Sequence, residues 1–199
     1  MLSKTEIIWR HLLVGALEKG RRREASISAL ARELGFGIST VHKALERPVG
    51  IGAVVVHPSR GVRTIDPWRL LVLWAGKRNL EGDVIRRSST SLSVAQTEHA
   101  VLEAGRVLGG FGGLVSHIGD NPISAYGTVL YYGGPLTDIE SDDGPTMLLA
   151  LEPDPLLARY GSVAPLAQCW VDLFNLPGWE AARFVEETPK ELIGLAAAA

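Results

Sequence analysis

A group of polar side chains between residues 39 and 47 has the chemistry needed to contact a nucleic acid. Hydroxyl, imidazole and cationic groups hydrogen-bond to base edges and to phosphate oxygens. The members of this group are Ser39, Thr40, His42, Lys43 and Arg47. His42 fits a second interpretation equally well, that of a solvated histidine on a helix surface. The group as a whole predicts a surface that contacts DNA.

Five arginines elsewhere in the first third of the chain have the charge to contact the phosphate backbone of the same DNA. They are Arg21, Arg22, Arg23, Arg60 and Arg63. The β-rich runs 52–58 and 62–65 flank a short turn and predict a hairpin. Arg60 would lie at the tip of this hairpin and Arg63 on its second strand. The run of three arginines is also compatible with a solvated basic loop.

A helix-turn-helix would present the polar group to DNA. The stretch ISALARELGFGISTVHKALERP (27–48) predicts two amphipathic helices, one over 28–34 and one that begins near Ile38 and ends before Pro48. Ala31 is small enough for two helices to cross closely, and Gly35 supplies the positive φ of a sharp turn. The second helix would then lie in the major groove.

One more helix completes this first unit. Ser3 and Glu6 have the spacing of a capping box, and the apolar residues that follow recur at helical period. The pattern predicts a helix from about Thr5 to Lys19. Together with the hairpin as the wing, it predicts a winged helix-turn-helix DNA-binding domain over residues 1–66.

The segment after the hairpin predicts a connecting helix. Asp66 is a favourable N-cap and Pro67 a favourable first helical residue. Apolar residues occupy all sides of DPWRLLVLWAGKR (66–78), as in a helix that is buried on all sides. We therefore expect residues 67–82 to be a buried helix and linker, with the domain boundary between Asn79 and Asp83.

The remainder, residues 83–199, predicts a mixed α/β sheet domain that binds a partner or regulates the first unit. Strands are expected over 83–90, 128–132, 146–152 and 167–174. Helices are expected over 93–108, where Ser93 and Gln96 have capping-box spacing, and over 178–189. The glycine-rich stretch GGFGG (109–113) is expected to be a turn.

No enzyme is predicted, because no residues have the spacing of a known catalytic site. GGFGG lacks the Lys-Ser/Thr of a phosphate-binding P-loop. His99, His117 and Cys169 show no metal-ligand spacing, and Cys169 lies in an apolar run that is typical of a core. The carboxylates Asp138, Glu140, Asp142 and Asp143 predict a solvated acidic loop. We expect neither a cofactor nor a metal.

The charge distribution separates the chain into two parts. Residues 1–66 have a formal net charge of +5, and residues 67–199 one of −7. A basic part is expected to bind a polyanion, and an acidic part a different partner. The composition, 46% hydrophobic and 21% charged, is that of a globular protein, and the single cysteine fits a reducing cytoplasm. The N-terminal stretch has charged residues among its apolar ones, a pattern that predicts an amphipathic helix and neither a signal peptide nor a membrane span.

The order of elements resembles that of a known family. A predicted winged helix ends in GVRTIDPWRLLVLWA, and a mixed domain closes with LAQCWVDLFNLPGWEAARFVEE. The chain resembles the AbiEi-type antitoxins of bacterial type IV toxin–antitoxin (abortive-infection) systems and related winged-helix regulators. The resemblance implies a repressor that binds its own operator and a C-terminal domain that counters a nucleotidyltransferase-like toxin.

Two other functions fit the same residues. The acidic domain could sense a small ligand that changes DNA affinity, or the whole chain could be a protein-interaction module without DNA binding. Because one winged helix covers a short site, we expect two copies of the chain on operator DNA. The double-stranded DNA, a toxin-like protein and this second copy are the partners that the sequence predicts.

Overall fold

The structure is a computed structural model that describes residues 1–18, 26–58, 61–119, 126–137, 139, 141–190 and 192–194. Contacts divide the chain into two compact units. One unit contains Leu2–Arg78 and the segment from Pro189 onwards, and the other contains Asn79–Thr188 with Met1. The chain is a mixed α/β protein with two small sheets, which confirms the expected fold class at this level.

The first unit consists of three helices, a two-stranded antiparallel sheet and a fourth helix. These elements are α1 (Lys4–Leu17), α2 (Ile27–Leu34), α3 (Ile38–Gly50), β1 (Val54–His57), β2 (Gly61–Thr64) and α4 (Pro67–Ala75). The two strands pair from Val54 opposite Thr64 to His57 opposite Gly61. The two strands therefore pair as the predicted hairpin requires.

The local signals at the starts of α1 and α2 act as predicted. Ser3 and Glu6 form a reciprocal capping box at the start of α1. The Ser26 hydroxyl accepts a hydrogen bond from the Ala29 N–H, which caps α2. Gly35 has a φ of 71° and ends α2, where a residue with a side chain would be strained.

The predicted end of α3 before Pro48 is wrong, because the helix continues through Pro48 to Gly50. A proline has no N–H to donate to the carbonyl four residues earlier, here that of Ala44. The buried indole of Trp9 donates to this carbonyl instead, with an Nε1–O distance of 2.8 Å. A side chain of α1 therefore satisfies the carbonyl that Pro48 leaves without its helical donor.

The expectation that α4 is buried on all sides is also wrong. Asp66 caps the helix through the Arg69 N–H and Pro67 is its first residue, as predicted. Leu70, Leu71, Trp74 and Ala75 are buried, but Val72 is 41% exposed. The helix belongs to the first unit and packs against α1 and α3 with one face. Its other face is exposed and carries both Val72 and the charged Arg69.

The second unit contains a four-stranded sheet with helices on its faces. Its elements are β3 (Val84–Thr90), α5 (Val94–Glu103), β4 (Val107–Leu108), α6 (Gly110–Ile118), β5 (Thr128–Tyr132), β6 (Thr146–Leu151), α7 (Leu166–Phe174) and α8 (Trp179–Glu187). The strand order is β3-β6-β5-β4, in which β5 and β6 are parallel and the two outer pairs are antiparallel.

Three predictions in this unit are wrong. The predicted strand over 167–174 is the helix α7, whose residues Leu166–Leu173 are all buried. GGFGG is not a turn but the first half of the buried helix α6. The predicted helix over 93–108 has the expected capping box at Ser93 but ends at Glu103, and Val107–Leu108 form a strand.

None of the helices in the described ranges has both the length and the apolar composition that a bilayer-spanning helix needs.

Candidate nucleic-acid interface

One side of α3 is exposed and carries five of the ten predicted contact residues. Ser39, His42, Lys43 and Arg47 are exposed, and Thr40 is half-buried. The opposite side of the helix packs into the unit through Val41, Ala44, Leu45 and Pro48. The amphipathic pattern of α3 thus brings the five predicted side chains of this helix together on one accessible surface.

The cations on this surface are available to a ligand. Neither Lys43 nor Arg47 forms an ion pair with a carboxylate in the part of the chain that the structure describes. Glu46 lies beside them on α3 and is also exposed. An exposed cation that is not paired with a carboxylate can interact with a polyanion with its full charge.

The first turn of α3 supplies further hydrogen-bond donors. Its N-cap is Gly37, which has no side chain to accept from the backbone. The N–H groups of Thr40 and Val41 donate to the Gly37 carbonyl, but those of Ile38 and Ser39 have no backbone acceptor among the residues that the structure describes. Free N–H groups and the helix dipole make the start of a helix a favourable position for a phosphate oxygen.

The turn before α3 is held by the first unit itself. The Lys4 ammonium lies 5.8 Å from the ring centroid of Phe36, which is one residue after the glycine turn. Trp9 holds the middle of α3 through its hydrogen bond to Ala44. Both interactions connect α1 to the segment that presents the polar surface, so they fix its orientation within the unit.

A groove of about 780 Å³ borders this surface. The groove lies among α1, α3 and α4 and is lined by both apolar and charged side chains. Its lining includes Thr5, Trp9, Lys43, Glu46, Arg47, Val72, Leu73 and Lys77. Lys77 was not predicted as a contact residue, although it lies in a Lys-Arg pair after α4. The groove places this third cation with Lys43 and Arg47.

The hairpin contributes one described residue to the predicted set. Arg63 is half-buried on β2, opposite Val55 in the register. Its Nε atom is buried and has no hydrogen-bond partner among the described residues. Arg60 and the run Arg21–Arg23 lie outside the described residues. The structure therefore places six of the ten predicted residues and brings five of them onto α3.

Asp142, a member of the predicted acidic loop, makes structural contacts in the second unit. Oδ2 of Asp142 accepts from the Ser91 N–H, and Oδ1 accepts from the Gly144 N–H. Hydrogen bonds from Ser91 hold the pKa of Asp142 below its ordinary value. Asp142 thus fixes the loop in which it lies, whereas Asp138 and Glu140 lie outside the described residues. No three metal-ligating side chains converge within the described ranges.

His117 and Cys169 also have local partners. His117 Nε2 lies 2.8 Å from the Ala164 carbonyl oxygen, and the buried Cys169 thiol donates to the same oxygen at 3.3 Å. Both side chains therefore hold the segment that leads into α7. His99 pairs with Glu103 on the surface of α5.

A half-buried carboxylate–phenol pair in the second unit gives a testable pH dependence. The Tyr126 hydroxyl donates to Glu98 Oε1 at 2.8 Å. Burial raises the pKa of Glu98 above its ordinary value of 4.5, and the hydrogen bond from Tyr126 acts against that rise. The folded state therefore binds a proton at Glu98 more tightly than the unfolded state does.

We expect the stability of the native chain relative to Glu98→Gln to be greatest below pH 4.5. This stability difference should decrease as the pH rises to the raised pKa of Glu98, because the folded state binds the proton more tightly than the unfolded state does. Above that pKa the carboxyl is ionised in both states, so the difference should no longer change with pH. Urea unfolding at a series of pH values measures this difference. Tyr126→Phe should move the fall to higher pH, and a difference that is constant with pH would contradict the assignment.

Comparisons of the chain with protein families, with curated proteins and with solved structures gave no match.

Proposed function

We propose that the chain is a DNA-binding transcription regulator that places α3 in the major groove. The observation that carries this proposal is the exposed surface of α3, where Lys43 and Arg47 have no carboxylate partner among the described residues. Lys77 lies on the same groove, which extends the positive charge beyond the helix. Such a set of cations suits the phosphates on either side of a groove.

Each element has a role in this proposal. The Ser39 and Thr40 side chains contact base edges, and the free N–H groups at the start of α3 contact a phosphate. Lys43, Arg47 and Lys77 neutralise phosphates along the backbone. The hairpin acts as the wing of a winged helix-turn-helix, and Arg63 reaches the backbone or the adjacent minor groove.

The test is the salt dependence of binding to double-stranded DNA from upstream of the chain's own gene. We expect log affinity to fall linearly with log salt, because bound cations release counterions from DNA. Lys43→Ala, Arg47→Ala and Lys77→Ala should each reduce the magnitude of the slope by roughly 0.9. Fluorescence anisotropy at four or more salt concentrations measures this slope.

Arg183→Ala is the matched control, because it removes the same charge from an exposed residue that pairs with Glu187 in the second unit. It should leave the slope unchanged. If Arg183→Ala and Lys43→Ala change the slope equally, the slope depends on the net charge of the chain and not on the surface of α3. The proposal fails if the native chain does not bind at low salt.

The acidic second unit is proposed to bind a protein. The resemblance to AbiEi-type antitoxins makes a nucleotidyltransferase-like toxin the proposed partner and autorepression in the cytoplasm the proposed role. Two copies of the chain would occupy a symmetric operator. Purification of the tagged chain with the product of the adjacent gene, with and without DNA, tests the partner separately from DNA binding.

A function as a protein-interaction module is the second candidate. The observation that favours it is the apolar part of the groove lining, which includes Trp9, Val72 and Leu73. A module would bind a protein at the groove and give no salt-dependent DNA binding. The anisotropy experiment therefore separates the two candidates without knowledge of the protein partner.

A further inference from the structure

Two arginines and a tyrosine lie together on one face of the four-stranded sheet. Arg86 on β3 and Tyr131 on β5 are both in register with Ala150 on β6, the strand between them. Residues in register on adjacent strands point to the same face of a sheet, so Arg86 and Tyr131 share a face about 10 Å apart. The side chain of Ala150 between them is only a methyl group.

Arg106 reaches the same region from the residue before β4. A Cβ atom on Gly133 would lie 2.8 Å from Arg106 Cδ, so the arginine stem lies directly against the backbone after β5. Gly133 has a φ of 122°, which a residue with a side chain rarely adopts. The Nε atom of Arg106 is buried and has no hydrogen-bond partner among the described residues.

The hydroxyl of Tyr131 is the third polar group of this cluster. The side chain is 2% exposed, and its oxygen accepts from the Leu136 N–H at 3.2 Å. No acceptor for the hydroxyl proton is found within the described ranges. Burial raises the pKa of Tyr131, and the charges of Arg86 and Arg106 act against that rise. The register and the contact at Gly133 place both arginines on the side of the sheet that carries the phenol.

Neither Arg86 nor Arg106 has a carboxylate partner among the residues that the structure describes. The neighbouring Arg87, which points to the other face of the sheet, forms an ion pair with Glu81. A buried guanidinium nitrogen and a buried hydroxyl proton without acceptors cost free energy unless water or a bound ligand accepts from them. All unused groups of the cluster are donors, so the ligand that satisfies them must be an acceptor with negative charge.

We propose that Arg86, Arg106 and Tyr131 bind the oxyanion of a small molecule, a phosphate or a carboxylate group. Arg106 holds the group from the side of Gly133, the Tyr131 hydroxyl donates to one of its oxygens, and Arg86 closes the site from the exposed edge strand. The site lies within the second unit and does not depend on DNA binding by the first.

Titration of the full chain with inorganic phosphate and, separately, with acetate tests this site. Two-dimensional NMR follows the Leu136 amide and the Arg106 Nε–H as anion is added up to roughly 50 mM, which detects even millimolar affinity. Both signals should shift and saturate. Stronger binding of phosphate identifies a phosphate ligand, and equal or stronger binding of acetate identifies a carboxylate ligand.

The variants separate this site from unspecific binding. Arg86→Gln and Tyr131→Phe should each weaken binding of the preferred anion at least tenfold, and Arg106→Gln should abolish saturation. Arg87→Gln, whose arginine is already paired, should bind like the native chain. Because Arg86 is exposed, its variant should keep the fold even if the Arg106 and Tyr131 variants unfold. Equal affinity in the native chain and in Arg86→Gln, or no saturable shift with either anion, would overturn the proposal.

Discussion

Replacement of Trp9 by phenylalanine is expected to lower the free energy of unfolding of the first unit by about 1–3 kcal/mol. Phenylalanine keeps most of the apolar volume but has no N–H. The Ala44 carbonyl, which accepts from the Trp9 indole in a buried position, then loses its donor. It cannot return to a helical hydrogen bond, because the residue four positions later is Pro48. Thermal or urea unfolding followed by circular dichroism measures the loss.

The same reasoning predicts that Pro48→Ala rescues Trp9→Phe. An alanine at position 48 has an N–H that can donate to the Ala44 carbonyl within α3. The cost of Trp9→Phe should therefore fall by about 1–2 kcal/mol when Pro48 is already alanine. The comparison uses only the change in the cost of Trp9→Phe between the two backgrounds. The effect of Pro48→Ala by itself, which combines helix propensity with a change in the unfolded state, cancels from it.

Trp74→Phe provides the matched control. Trp74 is also buried in the first unit, but its indole donates to Glu6 Oε1 at 3.4 Å and not to a carbonyl of α3. Its replacement should cost the same free energy with proline or alanine at position 48. If the cost of Trp9→Phe is also the same in both backgrounds, the Trp9 indole does not compensate for Pro48.

The sequence predicts the elements whose signals are local. The capping boxes at Ser3 and Ser93 and the left-handed turn at Gly35 each depend on residues within four positions of one another. The alternation of buried and exposed positions along α3 likewise follows from its own periodicity. For this reason the exposed positions of Ser39, His42, Lys43 and Arg47 could be predicted.

The errors concern residues whose state depends on distant parts of the chain. Proline ends a helix when nothing else satisfies the carbonyl four residues earlier, and the donor here lies 35 residues away in sequence. The helix α7 is covered on all sides, and its two polar residues, Gln168 and Asp172, are buried with the apolar ones. The run therefore looks like a buried strand when only its sequence is considered. Lys77 joins the candidate interface only because α4 packs beside α1 and α3, which no local pattern shows.

GGFGG is the most informative of these errors, since glycine favours a turn when only local propensity is considered. In the structure the stretch is helical, and α6 packs closely against α7. A Cβ atom on Gly113 would lie 2.6 Å from Cys169 Sγ and 3.2 Å from the Leu108 carbonyl oxygen. The glycine is therefore required by the short distance between two buried helices.

Gly113→Ala is accordingly expected to destabilise the second unit by about 1–3 kcal/mol, because overpacking of a buried contact exceeds the gain in helix propensity. Removal of the opposing sulfur should relieve most of this cost. We expect Gly113→Ala to be at least about 1 kcal/mol less costly in a Cys169→Ala background. Urea unfolding of the four proteins of this cycle, monitored by tryptophan fluorescence, measures the coupling.

Gly50→Ala is the control for the effect of alanine itself. Gly50 is the last residue of α3, and a Cβ atom there would meet no atom within 4 Å. This variant should be neutral or stabilised by up to about 1 kcal/mol, since alanine has the higher helix propensity. If Gly113→Ala behaves like Gly50→Ala, then α6 and α7 are further apart than the structure places them. A destabilised Gly113→Ala that Cys169→Ala does not relieve would instead assign the clash to the Leu108 carbonyl, which cannot be trimmed by mutation.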